Sequence, residues 1–355
     1  MNIKNLLNVV SAAMSGIKCG DSNTHHLLFK DGKLFSWSAA IVVSAQLPSD
    51  AKHLTGVVNG DDLIKFLTKL NRSDVKVACH TTEWVFTEGS MYAELVTCPD
   101  TSISDKINKM VSDTLTWQDL PTNFYHGLTI CDIPNNNIKK TQGVFFGKRV
   151  MVSTDNIRVN RVILDKPIDG NVWLSQFSVG ELKRVGKTFT EYALSKRWVH
   201  FRNKMDDNGV QLEFICSRLD DSLYEHETYA SFIDKADDCT VASGELPDIT
   251  KALSIASCFD NYIEFKDDSV FNNIINLKFS NDGVEVFSER DSSGSYREKF
   301  DCAIPKLKEP LTIRVTGSFL LGACAYSRKF MLAQVGKKTV IRFTGDDFDS
   351  IVLTV

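Results

Sequence analysis

Asp31-Gly32-Lys33-Leu34-Phe35-Ser36-Trp37 sets a two-residue turn signal ahead of an apolar strand, and the chain repeats that pattern twice more. It returns as Phe146-Gly147-Lys148-Arg149-Val150-Met151-Val152-Ser153 and as Asp282-Gly283-Val284-Glu285-Val286-Phe287-Ser288. A second element follows each copy, a short strand running into an amphipathic helix. Its versions begin at Gly56-Val57-Val58-Asn59-Gly60-Asp61, at Val172-Trp173-Leu174 and at Leu311-Thr312-Ile313-Arg314-Val315. The marker glycines lie more than a hundred residues apart, so each repeat is a domain and not one of the roughly 20–50-residue units that stack into solenoids. The spacing predicts three tandem similar domains over 1–112, 113–238 and 239–355.

Working outward, Ile3, Leu6, Leu7, Val10, Ala13 and Met14 follow the spacing of one helix face. Strands are expected at Leu27–Lys30, Lys33–Trp37 and Ile41–Ala45, a helix from Asp61 to Leu70, and further strands at Val75–Cys79, Trp84–Thr87 and Met91–Val96. Pro99 and the polar stretch to Asp113 read as a linker. In the third copy, Leu246-Pro247-Asp248 opens a helix over Ile249–Cys258 with Pro in its first turn. Strands at Ile274–Phe279, Val284–Glu289 and Tyr296–Asp301, a helix at Ser318–Ala325 and three closing strands follow. The middle copy's first helix, through Tyr125, Leu128 and Ile130, is short and carries Gly127. Each copy reads helix–strands–helix–strands with hairpin connections, an α+β fold with two helices on an antiparallel sheet.

The 355 residues, 43% of them hydrophobic and 24% charged, suit globular domains. No apolar run approaches the ~20 residues that span a bilayer, and the N-terminus lacks the apolar core and cleavage site of a signal peptide. Nine cysteines without a C-x-x-C pair suggest reduced, buried thiols and a cytoplasmic setting. Enzyme signatures are missing: there is no Walker loop, G-x-G-x-x-G, H-E-x-x-H or G-x-S-x-G. His25-His26 and Cys79-His80 are adjacent, so their side chains diverge on a strand and do not converge on a metal. Asp220-Asp221, Asp237-Asp238 and Asp346-Asp347 fall in predicted turns, where Asp bonds the local backbone. Phe145, Phe146 and Trp84 read as core. The expectation is a protein with no cofactor, no metal and no catalytic residue.

Charge is distributed unevenly. The chain carries a net −4, yet Lys65, Lys69 and Arg72 form one stripe of the Asp61 helix opposite Leu63, Phe66, Leu67 and Leu70. In Ser178–Phe189, Lys183, Arg184 and Lys187 lie off the Leu182, Val185 and Phe189 stripe. The acids Glu83, Glu88, Asp206 and Asp207 lie elsewhere. An acidic body with basic helices suggests a local surface facing a polyanion.

Aligned, the three copies resemble the bacterial-type DNA polymerase sliding clamps, the β-clamp family, over nearly the whole chain. Met151-Val152-Ser153-Thr154-Asp155-Asn156-Ile157-Arg158-Val159 is similar to the family's middle-domain signature A-T-D-G-H-R-L. Thr154, Asp155 and Arg158 match, whereas Asn156 replaces Gly, Ile157 replaces His and Val159 replaces Leu. Asp282–Val286, Phe319-Leu320-Leu321-Gly322-Ala323 and the closing Asp349–Val355 also fall where the pattern expects them. Thr354 stands in place of Pro, and the chain stops at Val355 without the family's last two residues. These departures imply a divergent member, and a phage-encoded clamp is one origin they suggest.

The resemblance implies a DNA polymerase processivity factor: a head-to-tail homodimeric ring of six domains, helices lining the hole, encircling duplex DNA without reading its sequence. DNA polymerase and the clamp loader would dock peptides in a cleft between the middle and third domains. That cleft maps to Thr154, Asn156, Ile157, Arg158, Val159, Phe271, Ile351, Leu353, Thr354 and Val355. DNA-facing residues would be Lys18, Lys65, Lys69, Arg72, Lys139, Lys140, Lys183, Arg184 and Lys187. Two alternatives of other classes stand beside it: an interaction scaffold that keeps the triplicated fold without DNA, and a nucleic-acid enzyme without a familiar motif.

Overall fold

The computed structural model describes residues 1–15, 26–38, 40–70, 75–98, 103–111, 114–133, 143–155, 157–185, 189–204, 211–219, 226–259, 261–264, 270–290, 294–305, 307–336 and 338–354. In chain order the first copy holds α1 (Ile3–Ser15), β1 (His26–Lys30), β2 (Lys33–Trp37), β3 (Ile41–Gln46), β4 (Gly56–Asn59), α2 (Gly60–Lys69), β5 (Lys76–Cys79), β6 (Glu83–Glu88) and β7 (Met91–Cys98). Then come α3 (Ile103–Val111), β8 (Gln118–Asp119), α4 (Phe124–Cys131), β9 (Gly143–Thr154), β10 (Arg158–Ser175), α5 (Gln176–Val185), β11 (Glu191–Leu194), β12 (Trp198–Arg202), β13 (Leu212–Ser217) and α6 (His226–Asp238). The remainder is β14 (Thr240–Glu245), α7 (Thr250–Ala256), β15 (Asn261–Glu264), β16 (Val270–Ser280), β17 (Gly283–Arg290), β18 (Gly294–Asp301), β19 (Leu311–Thr316), α8 (Gly317–Cys324), β20 (Lys329–Val335), β21 (Lys338–Thr344) and β22 (Phe348–Leu353).

The chain forms two compact units, Met1–Pro121 with Phe177–Leu219, and Thr122–Gln176 with Asp220–Val355. The first is built on an 11-stranded sheet in the order β5-β6-β7-β4-β1-β2-β3-β13-β12-β11-β8. Its Asp31-Gly32 hairpin is as the sequence predicts, with φ of 51° and 73° at the two turn residues, the left-handed pair that a tight hairpin of this twist requires. β3 and β13 pair antiparallel with Val42 opposite Ile215, which makes one continuous sheet of strands from the first and middle copies. α1 covers one face, and the Ser36 hydroxyl on β2 donates to the Ala13 carbonyl. Trp84 is fully buried, as expected, edge-on to Phe29 and donating to the Thr55 carbonyl.

The second unit holds a 6-stranded sheet, β14-β20-β21-β22-β10-β9, and a 5-stranded sheet of β15–β19. Here β10 of the middle copy pairs with β22 of the third, Val159 opposite Ile351. α7 and α8 bury Leu253, Phe319 and Leu320 against Leu332, Ile341 and Val352. Alternate residues Ala333, Val340 and Ile351 face the other side.

Several expectations are corrected. The segment read as a linker after Pro99 contains α3, whose Ile107 packs on Leu28, Phe35, Val42, Val57 and Ile215. Asp237 and Asp238 do not form a turn; they close α6. Both helices connect successive copies, and each shields a sheet face that the two-helix reading leaves to water. The middle copy's turn at Gly147 is absent as a reversal: β9 runs through it, with Lys148 at φ 52° and register shifts against β10 absorbing the irregularity. In the third copy the turn is Asn281-Asp282, since Ser280 pairs with Gly283. Phe189 lies beyond the end of α5, and Pro247 precedes α7, where Asp248 bonds the Thr250 amide instead.

Candidate partner cleft and basic helix faces

Thr154 ends β9 and Arg158 starts β10, which runs antiparallel to it. Asp155 makes the reversal: its Oδ1 accepts the amides of Ile157 (3.1 Å) and Arg158 (2.7 Å). Its Oδ2 accepts Arg158 Nε at 2.9 Å and Nη2 at 2.7 Å. The guanidinium in turn lies 3.9 Å over the Phe319 ring of α8. The Thr154 hydroxyl donates to the Arg158 carbonyl at 2.8 Å. Asp155 and Arg158 are 7% and 9% exposed, a buried pair whose lone pairs and protons are engaged. Asp155, which the resemblance quotes only as a match, is the residue on which this corner depends.

The residues that the resemblance assigns to a cleft fall on two sides of the β10–β22 pairing. Ile157 packs against the cluster held by α7 and α8, and Arg158 stacks on α8. Val159, Ile351 and partly buried Leu353 join Val152, Ala333 and Val340 on the opposite face, under Ile233 and Ala236 of α6. The Leu353 amide donates to the Ile157 carbonyl at 2.8 Å, and Thr354 bonds the Thr339 carbonyl through its amide and hydroxyl. Phe271 lies on β16 opposite Ile263. Asn156 and Val355 lie outside the described residues, as do Lys18, Arg72, Lys139, Lys140, Lys187, His25, Asp206, Asp207, Asp220 and Asp221.

Beside the apolar face runs an ion network that the sequence reading misses. Asp349, only 10% exposed at its side chain, takes Arg161 Nε and Nη2 on Oδ2 at 3.0 and 2.7 Å. Arg342 Nε bonds the other oxygen at 2.9 Å. The outer nitrogens reach α6: Arg161 Nη1 bonds Asp234 at 2.8 Å, and Arg342 Nη1 bonds Asp237. The available signal is an arginine inside an apolar strand, at Arg161 in Val159–Leu164 and at Arg342 in Val340–Phe343. An arginine rarely sits there without a partner.

On α2, Asn59 caps the Asp62 amide, Leu63 and Leu67 are buried, and Lys65 and Lys69 are exposed. Lys65 lies 3.8 Å from Asp62. Acids in the first turn and Lys69 in the last suit the helix dipole, and of these only the lysine would also suit a polyanion. On α5, Arg184 pairs with Glu181, and Lys183 is partly exposed beside it. Among the described residues no group of three His, Cys, Asp or Glu is placed to hold a metal, and no helix is long and apolar enough to cross a membrane. The eight described cysteines are free thiols; two of them, Cys131 and Cys216, are buried.

No family model matches the sequence, and no curated protein matches it. Solved structures do. A β clamp of Helicobacter pylori, solved in complex with diflunisal, superposes with a TM-score of 0.76 at 12% identity, covering 100% of this chain and 98% of that one. Sliding clamps of Pseudomonas aeruginosa (12% identity) and Bacillus subtilis (14%) each give 0.74 over the same shares. The chain has the fold of the bacterial sliding clamps from end to end.

Proposed function

We propose that the chain is a DNA polymerase sliding clamp, a processivity factor without catalysis of its own. The single observation that carries this is the end-to-end likeness to bacterial clamps, 100% of this chain against 98% of theirs. In this reading the domains are 1–112, 113–238 and 239–355, with the 11-stranded and 6-stranded sheets each running across a domain junction. Two copies close head to tail into a ring in the cytoplasm. Free sheet edges support the closure. Among the described residues, Met91–Val96 of β7 pair with β6 alone and β18 pairs with β17 alone, so each offers an unpaired row of backbone groups.

Duplex DNA passes through the ring, steered by Lys65, Lys69, Lys183 and Arg184 and held by topology without base contacts. Polymerase and clamp loader dock peptides where Val159, Ile351 and Leu353 meet at the junction of the middle and third domains. The test is retention on DNA. The protein, loaded on a nicked circle, should remain bound in high salt and be released once the circle is linearised. Charge reversal at Lys65, Lys69 and Lys183 should lower affinity for linear duplex and flatten its salt dependence by about 0.9 per lost phosphate contact. Equal loss from circle and linear DNA points to the scaffold reading, and metal-dependent DNA turnover points to an enzyme.

A further inference from the structure

We propose that α6 is a latch over the partner cleft, displaced by a peptide that carries carboxylates within one turn of apolar side chains. The proposal rests on the cleft reading above and adds its regulation.

Among the described side chains the apolar grip of α6 is small. Of its 13 residues, Ile233 and Ala236 are the buried ones among the described side chains, whereas α8, with 8, buries Gly317, Phe319, Leu320 and Ala323. Phe232 packs against the same cluster while staying partly exposed, and ion pairs supply the polar part of the hold. Asp234 and Asp237 sit on successive turns and bond the outer nitrogens of Arg161 and Arg342. Their carboxylates are 67% and 49% exposed, so water and salt compete for these ties. The arginines are different. Both are anchored from below by Asp349, and both stay in place when α6 leaves.

The chemistry of the uncovered face follows from this arrangement. With α6 lifted, two guanidiniums share one carboxylate, leaving a net positive charge at the edge of the patch made by Val152, Val159, Ile351 and Leu353. Apolar surface and unbalanced charge together select a segment that supplies both, as α6 itself does through Phe232-Ile233-Asp234 and Asp237. A partner peptide of that class takes the place of α6, and its apparent affinity is reduced by the fraction of time the latch is closed.

The test uses the full chain as wild type and as Asp234→Asn/Asp237→Asn, both changes being at exposed carboxylates. Amide exchange over α6 should run about tenfold faster in the variant, with β16 and β19 unchanged. Raising sodium chloride from about 0.05 to 1 M should speed α6 exchange in the wild type, because screening weakens the same ties. A fluorescent synthetic peptide copying residues 226–239 is the probe, and it should bind the variant at least about fivefold more tightly. Unchanged exchange in both the variant and high salt would overturn the latch. Faster exchange without tighter probe binding would overturn the competing-peptide mechanism and the proposal with it. None of these readouts involves polymerase. A polymerase indifferent to truncation of Leu353, with the latch readouts intact, would therefore refute the cleft reading alone.

Discussion

A carboxylate 7% exposed needs its acceptor sites filled, and Asp155 fills them from two backbone amides and one guanidinium. Removing the guanidinium leaves that charge buried without its partner, which costs more than the pair is worth. Arg158→Ala should therefore lower unfolding stability by about 3–5 kcal/mol, measured by urea titration. A loss below about 1 kcal/mol would place the pair in effective contact with water. The thiols give a second residue-scale expectation. Burial pushes Cys131 up to about 12 and raises Cys216 as well. At pH 8 a thiol of pKa about 12 is ionised roughly once in ten thousand molecules, and the thiolate is the reactive form. Peptide-resolved alkylation at pH 8 should mark exposed Cys258 within minutes and leave Cys131 and Cys216 unmodified until urea is added. Labelling of Cys131 in the folded protein would contradict its packing.

At the scale of elements, strands and hairpins were legible because period-two apolar patterns and the Asp31-Gly32 turn are local signals. Lys33–Trp37 falls where the pattern puts it. α3 and α6 were not, because each packs against a partner that is distant in sequence, which no local pattern identifies. Ile107 finds Val57 and Ile215, and Ile233 finds Val340 and Ile351. Polar composition between Pro99 and Asp113 signals solvent exposure, and Asp105, Asn108 and Lys109 of α3 are indeed exposed. The candidate site was half visible for the same reason. Thr154-Asp155 and Arg158 stand together in sequence, whereas Arg161, Arg342, Asp349 and Asp237 meet only through β10–β22 and β21–β22 pairing. The helical reading of 103–111 has a direct consequence. Ile107→Ala should destabilise the first unit by about 2–5 kcal/mol, since its methyl groups fill a closed cluster. A linker residue would show no such loss in a denaturation curve.

At the scale of the whole molecule, function in the clamp reading depends on closure, because weak and sequence-blind phosphate contacts hold DNA only if the ring does not open. Closure requires the outer edges of β7 and β18 to find each other across two copies. β7 carries the exposed apolar side chains Tyr92 and Val96, 65% and 73% accessible, on a strand where Glu94 lies between them. Large apolar groups at an unpaired edge invite pairing, and in a monomer they would be an aggregation liability. Val96→Asp adds a charge at a position already in water, so the fold of each chain should change by no more than about 0.5 kcal/mol. In a dimer the same charge would be carried into a desolvated interface without a partner, at a cost of several kcal/mol. Sedimentation equilibrium should then show wild-type dimer and Val96→Asp monomer at micromolar concentration, with matching circular dichroism. Retention on circular DNA should vanish in the variant while its weak, salt-sensitive affinity for linear duplex persists, since the basic helices are untouched. A Val96→Asp protein that stays dimeric would move the subunit interface away from β7, and with it the route proposed for closure around DNA.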